Sequence, residues 1–301
     1  MPNELLCINT GPDMNEYSKK PSWLKKRIPF NREIEKVTAI LERAALHTVC
    51  EEARCPNRGE CYSKGTATIL ILGRICTRNC GFCAVEHGTT PPAPDQDEPE
   101  HVARAVKEMG LRYVVLTSVT RDDLPDGGAV HYARVIRAIR AMDRTIKIEV
   151  LVPDFQGDFR ALIIVLEQRP DVLNHNMETV PRLYPAVRPQ ANYWRSLQLL
   201  KRSKEQCPQI LTKSGLMLGL GEDRNEIRDF MIDVKNAGVD LITIGQYLRP
   251  RPDRLPIVRY VTPEEFYELK HVGEATGLRL VASGPFLRSS YHAAEMFNAA
   301  L

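Results

Sequence analysis

A chain of 301 residues, 43% hydrophobic and 26% charged, has the composition of an ordinary globular protein that can bury one large core or two small ones. Its 41 basic and 38 acidic residues leave a formal net charge of +3, too even a balance for a general nucleic-acid or membrane-surface binder. No apolar run reaches the roughly 20 residues that a membrane-spanning helix needs, so neither nucleic acid nor membrane is expected as a partner.

The opening stretch "MPNELLCINTGPDMNEYSKKPSWLKK" has neither the basic-then-apolar order of a secretory signal nor the Arg-rich, acid-poor character of a transit peptide. The expected location is the reducing cytoplasm, where clustered thiols are more often metal ligands or catalytic groups than disulfides. Six of the eight cysteines, Cys50, Cys55, Cys61, Cys76, Cys80 and Cys83, fall between positions 50 and 83. Cys7 and Cys207 stand apart and read as spare or half-buried thiols.

After the Pro- and Lys-containing arm, an amphipathic helix is predicted near 31 to 46. The loop "CEEARCPNRGEC" follows, with spacing C-x4-C-x5-C at Cys50, Cys55 and Cys61. Three thiolates there suit an iron-sulfur cluster or a structural zinc site. Residues 1–66 read as an N-terminal extension carrying these ligands.

The first strand is expected at 67 to 72, "ATILIL". Directly after it, "CTRNCGFC" sets Cys76, Cys80 and Cys83 at spacing C-x3-C-x2-C. One loop of that kind can wrap three corners of a cubane cluster and leave the fourth iron without a protein ligand. Zinc, the competing reading, favours paired C-x2-C hooks and four closed ligands. Here there is one such gap, and His87 would complete only a mixed site.

Beyond the linker "TTPPAPDQDEP", strand-length apolar runs at 113 to 118, 146 to 152, 171 to 176, 214 to 220, 240 to 245 and 278 to 283 alternate with helical patterns. The helices are expected at 98 to 110, 128 to 141, 158 to 168, 192 to 205, 223 to 237 and 263 to 276. In the first, Val102, Ala105, Val106 and Met109 share a face that stops at Gly110, a usual C-terminal cap. Apolar strands each followed by a helix imply a parallel sheet with right-handed crossovers. Six such units plus a last strand fall short of the eight that close a full barrel. The expected fold class is therefore α/β, a partial (β/α)6 barrel over 67–283 with a C-terminal tail over 284–301 and its chemistry at the carboxyl ends of the strands.

The pattern C-x3-C-x-aromatic-C, met by Cys76, Cys80, Phe82 and Cys83, resembles the radical S-adenosylmethionine superfamily. Together with the upstream triplet and with "RYVVLTSVTRDDLPDGGAVH", "LVPDF", "NHNMETV", "TKSGLMLGLGE", "GQYLRP" and "GPFLRSSYHA", it resembles the lipoyl synthase family from about residue 20 to 293. The resemblance implies the radical SAM type of partial barrel, with two [4Fe-4S] clusters and S-adenosyl-L-methionine as cofactors. It implies a radical made at the Cys76, Cys80 and Cys83 cluster, and sulfur taken from the Cys50, Cys55 and Cys61 cluster. The product it implies is an octanoyl group on a carrier lysine with sulfur inserted at C6 and C8. These carbons are saturated, with no proton acidic enough for a side-chain base to remove.

The implied partners are octanoylated lipoyl carrier proteins (the glycine cleavage H protein and E2 lipoyl domains), an electron donor such as ferredoxin or flavodoxin, and an iron-sulfur carrier protein. For cofactor binding, the resemblance points to Phe82 near the adenine and to Gly219 in "GLMLGLGE", where Met217 replaces the superfamily's isoleucine. Thr117, Ser118, Asn174, Asn176 and Glu178 lie at strand ends, within the expected reach of the methionine and ribose groups, with Ser118 and Glu178 preferred. The resemblance also places a serine ligand of the auxiliary cluster in "RSSY", at Ser290 ahead of Ser289, with Arg288 as a steadying neighbour. Arg249, Arg251, Arg254 and Arg259 form a stiff cationic loop that suits an acidic carrier, or else a solvated face. The other readings are a different two-cluster radical enzyme and a non-catalytic iron-sulfur or zinc scaffold.

Overall fold

The computed structural model describes residues 20–27, 29 and 31–301. Cys7 and the chain up to residue 19 lie outside the described residues. Helix α1 (Arg32–Arg43) starts where the Asn31 side chain accepts from the Ile34 amide, and it buries Val37, Ile40 and Leu41. Strand β1 (His47–Thr48), α2 (Val49–Glu52) and α3 (Arg58–Ser63) follow. Cys50 therefore sits on α2, Cys61 on α3, and Cys55 on the turn between them.

The β/α alternation then runs through β2 (Thr68–Ile71), α4 (Glu98–Glu108), β3 (Tyr113–Ser118), α5 (Ala129–Met142), β4 (Lys147–Leu151), α6 (Phe159–Leu166), β5 (Val172–Asn174), α7 (Tyr184–Val187), α8 (Tyr193–Gln206), β6 (Leu211–Leu218), α9 (Arg224–Asn236), β7 (Leu241–Gln246), α10 (Pro263–Ala275) and β8 (Leu280–Ser283), and ends in α11 (Ala293–Ala300). The sheet order is β1 through β8 in sequence. Strands β2 to β8 are parallel, and β1 pairs antiparallel with β2, His47 opposite Leu70. All residues of β2 and β7 are buried, as expected for parallel strands covered on both faces. Among the described residues no helix is long and apolar enough to cross a membrane.

The six β/α units and the last strand are those expected, and most of their bounds agree within two residues. Strand β6 differs: it starts at Leu211, three residues earlier than its apolar run. The reason is Lys213, a charge in a strand interior, whose Nζ meets Glu149 Oε1 at 3.0 Å. Both side chains are fully buried. Glu149 also accepts from Tyr113 Oη at 2.7 Å and Asn174 Nδ2 at 2.9 Å.

The short elements β1, α2, α3 and α7 and the terminal α11 lacked a sequence signal. The pair of residues in β1 is too short to carry periodicity, yet it ties the first cysteine triplet to the sheet edge. Helix α11, in the expected tail, packs Met296, Phe297 and Ala300 against Val172, Leu211 and Leu241, the first residues of β5, β6 and β7. It plugs the amino end of the barrel and leaves the carboxyl end for a site.

Removing one partner of a buried ion pair leaves an uncompensated charge, so Lys213→Met is expected to cost about 3–5 kcal/mol. Urea denaturation of the cluster-free chain measures this. Lys213→Met with Glu149→Gln, which removes both charges and keeps an acceptor for Tyr113, is expected to recover at least half of the loss. Equal losses in the single and double variants would refute the role given to the pair.

Candidate active site

The carboxyl ends of the strands open into a cavity of about 460 Å³. The loop after β2 brings Cys76, Cys80 and Cys83 to its wall, and the N-terminal extension contributes Cys55 from another side. Ser289 and Ser290 also line it. Cys50 is buried at 5% exposure. Cys61 lines a second cavity of about 130 Å³ that shares Ser290 with the first.

The cysteine loop is fixed by its non-cysteine residues. Arg78, between Cys76 and Cys80, donates to both Asp122 oxygens at 2.6 and 2.8 Å and to Asp154 Oδ1 at 2.7 Å. Arg195 Nε holds the other Asp154 oxygen at 2.8 Å. On the far side, Arg254 Nη1 donates to Asn79 Oδ1 at 2.6 Å, and the Leu255 amide donates to the Gly81 carbonyl at 2.9 Å. A Cβ on Gly81 would lie 2.8 Å from Leu255 and 3.0 Å from the Ala186 carbonyl, so only glycine admits this close approach.

The four arginines of the loop part company: one is drawn into the fold, while the others stay partly or fully exposed. Arg254 is buried at 7% exposure, Arg259 pairs with Glu265 at 2.7 Å, Arg251 with Asp253 at 3.3 Å, and Arg249 lines the cavity. The expectation of a solvated or partner-facing loop therefore fails for Arg254 alone, since Arg249 is exposed beside the cavity and Arg251 and Arg259 are half-exposed. Arg78, Asp154 and Arg188 were not picked out from sequence, since an isolated Arg or Asp in a loop carries no pattern.

All the described cysteines are free thiols. Burial pushes Cys50 and Cys83 up to about 12 and Cys61 to about 11, and raises Cys80 as well. A bare thiolate is disfavoured at such positions, and a bound cationic metal centre relieves that cost by displacing the proton. Cys76 Sγ accepts from the amides of Arg78 and Thr120 at 3.4 and 3.3 Å. Amide bonds of this kind tune the potential of a thiolate-held cluster. Among the described residues no three His, Cys, Asp or Glu side chains converge on one ion position. Three thiols on one loop with a fourth, Cys55, in the same lining are the donor type that iron-sulfur clusters take. The donor set fits clusters.

The wall also fits a polar cofactor. Ser118 Oγ, Asn176 Oδ1 and His175 Nε2 are buried without hydrogen-bond partners in a lining that Phe82 and Met217 share. Buried polar atoms are normally paired, so three orphans around one cavity mark a place for a polar ligand. Asn176 Nδ2 donates to Glu178 Oε1 and to Ser289 Oγ, each at 3.1 Å. Glu178 has φ +68°, held by its amide on the Gly215 carbonyl and by the Met217 amide on its own carbonyl, both at 2.9 Å. A non-glycine residue so placed stores strain of a kind that clusters at functional sites. Burial raises the Glu178 carboxyl, and the Arg188 charge, the Asn176 bond and the Arg288 charge oppose that rise.

Other candidates are placed elsewhere. Asn174 is taken by Glu149, and Thr117 Oγ1 donates to the Leu151 carbonyl at 3.2 Å. Gly219, at φ +103°, has Gln246 Nε2 2.3 Å and the Arg259 carbonyl 2.6 Å from a would-be Cβ. Its glycine serves that contact, and Gly215 lines the cavity instead. Glu222, the end of the same motif, accepts from the Gly219 and Leu220 amides at 2.5 and 3.0 Å.

Residues 70–234 match the model of the radical SAM superfamily, and residues 9–55 match that of the N-terminal domain of lipoyl synthase. The chain is 57% identical to a lipoyl synthase of Acidithiobacillus ferrooxidans, over 95% of this chain and 90% of that protein. It is 55% identical to one of Serratia proteamaculans, over 93% and 88%. Among solved structures, HydG, a maturase of the [FeFe]-hydrogenase, shares the fold at TM-score 0.56 and 16% identity, over 89% of this chain and 69% of that one.

His175 supplies a pH test. Its Nδ1 faces the Val152 carbonyl at 2.8 Å, and burial, with the Arg188 charge, pulls the imidazole down to about 4. Unfolded, it binds a proton near its ordinary value of about 6.5. Between these values the unfolded state holds more protons, so stability is lost as pH falls from 6.5 to 4. In the cluster-free chain, His175→Gln is expected to lose about 2–3 kcal/mol less than the parent between pH 7 and 4.5. Parallel urea-denaturation profiles for the two chains would show that the imidazole is not held neutral.

Proposed function

Because the chain belongs to the lipoyl synthase family of radical SAM enzymes, we propose that Cys76, Cys80 and Cys83 hold its radical-generating [4Fe-4S] cluster, and that Cys50, Cys55, Cys61 and Ser290 hold its auxiliary one. The reaction is insertion of two sulfur atoms, at C6 and C8, into the octanoyl group of a lipoyl carrier protein. When bound, the clusters and S-adenosyl-L-methionine supply a 5'-deoxyadenosyl radical and the sulfur. The observation that carries the residue assignment is one cavity lined by Cys55 from one triplet, by all three thiols of the other, and by Ser290.

The chain's own residues divide the remaining tasks. Arg78 and Asp154 hold the cysteine loop in place. Ser118, Asn176 and Glu178 offer hydrogen bonds to the polar groups of S-adenosylmethionine, and Phe82 gives its adenine an apolar face. The unpaired Ser118 and Asn176 oxygens support this division. In our reading residues 1–66 form the extension for the auxiliary ligands, 67–283 the radical SAM barrel and 284–301 the segment that delivers Ser290. We further propose the glycine cleavage H protein and E2 lipoyl domains as carriers, ferredoxin or flavodoxin as reductant, an iron-sulfur carrier protein for rebuilding, and the cytoplasm as the setting. Clusters on free thiols call for such a reducing compartment.

The test uses anaerobically reconstituted protein and an octanoylated lipoyl-domain peptide. Replacing Cys76, Cys80 and Cys83 by Ala is expected to halve the iron and abolish 5'-deoxyadenosine. Replacing Cys50, Cys55 and Cys61 is expected to keep its formation and stop sulfur insertion, read by mass spectrometry of the peptide. Lipoyl product at normal yield from the second variant would refute the sulfur-donor assignment. Comparison of Ser290→Ala with Ser289→Ala by Mössbauer spectrum decides which serine is the ligand.

A further inference from the structure

Ser290 sits in a strap whose neighbouring residues are tied to different parts of the protein. On one side Ser289 Oγ accepts from Asn176 Nδ2 at 3.1 Å, just past the end of β5. On the other, Tyr291 Oη donates to Glu60 Oε1 at 2.8 Å, and Glu60 adjoins Cys61 on α3. Glu60 is also the ion-pair partner of Lys26, and of Lys64 at 3.0 Å. His292 Nε2 stands 3.6 Å from the same carboxylate.

Lys26 extends this junction. Its Nζ lies 4.7 Å from the centre of the Tyr291 ring and 5.2 Å from that of Phe286, within cation–π range. It donates to Asn57 Oδ1 at 2.9 Å, and Asn57 Nδ2 donates to the Phe286 carbonyl at 2.7 Å. Both ends of the strap's 286–291 stretch are thus fastened to residues 57–60, next to two auxiliary-site cysteines.

We infer that Lys26, Glu60 and Tyr291 are positioning residues that hold Ser290 at the Cys61 edge of the auxiliary site. The inference rests on the reading of Ser290 as a cluster ligand. A hydroxyl oxygen is a hard ligand, poorly matched to a site of soft thiolates. Affinity for iron alone would not bring it to the cluster, so the protein must place it. A contact network made of polar groups near the surface can place the serine and also let it go.

The experiment uses a background with Cys76, Cys80 and Cys83 replaced by Ala, so that the auxiliary cluster is the only one present. Glu60→Gln removes the charge that gathers Lys26 and Tyr291, whereas Tyr291→Phe keeps the ring and removes only its bond to Glu60. In both, the Mössbauer signal of the serine-bound iron is expected to fall at least about twofold, with total iron retained. Lys26→Arg, which keeps the cation, is expected to preserve that signal. In the cluster-free chain, hydrogen exchange at residues 286–292 is expected to quicken about tenfold in Tyr291→Phe, with β5 to β7 unchanged.

If Ser290→Ala alters the spectrum while Glu60→Gln and Tyr291→Phe both match the parent, the positioning role is overturned. If Ser290→Ala itself leaves the spectrum unchanged, the ligand reading falls and the inference falls with it. Should Glu60→Gln alone lose total iron through a defect in α3, Tyr291→Phe decides: a lowered serine signal supports the role, and a parent-like spectrum overturns it.

Discussion

The site depends on the Arg78 guanidinium. It lies between Cys76 and Cys80, its side chain is 3% exposed, and it is bonded to Asp122 and Asp154 at once. Taking three charges out of water costs several kcal/mol per ion unless geometry and further hydrogen bonds compensate. Here the compensation is close to complete. Arg78 uses a bidentate fork on Asp122, and Asp154 is shared with Arg195 from α8. The pair fastens the cysteine loop to the ends of β3 and β4 and, through Arg195, to the far side of the barrel.

The open barrel sets the second condition. Seven parallel strands do not close a ring, so residues from outside the β/α repeat must cover what remains exposed. Helix α11 fills the amino end with Phe297 and Met296. The extension pairs β1 with the edge strand β2, and its Cys55 lines the same cavity as the loop that follows β2. The segment between β8 and α11 then passes the carboxyl end, where Ser289 and Ser290 reach the cavity. Gly245 permits this passage: a Cβ there would lie 2.1 Å from the Leu287 carbonyl. Residues distant in sequence, Cys55 and Ser290, thus meet at one cavity, and their meeting is a result of folding.

The same division explains which site residues were legible in the sequence. Cysteine spacing is local chemistry, because a loop that wraps a cubane needs its thiols at fixed short intervals, and both triplets could be read directly. Strand and helix positions followed from periodicity, which reports the faces an element buries. Gly219 showed the limit of motif matching. The glycine is required, but by Gln246 and Arg259 packing against it. In the arginine loop, charge composition could not distinguish a surface patch from a clamp, since Arg254 reaches Asn79 across 175 residues.

By itself the sequence determined the fold class, the alternation of strands and helices and the two thiol triplets. Each of these is written in local spacing, which the chain carries whether folded or not. Only the tertiary structure decided that Cys55, the second triplet and Ser290 line one cavity, that Asn174 belongs to a buried ion pair while Asn176 faces the site, and that Glu60 and Lys26 grip the strap around Ser290. Those relations join residues separated by up to 265 positions. The contacts exist only after the barrel has brought distant segments together, and no periodicity or short motif records them.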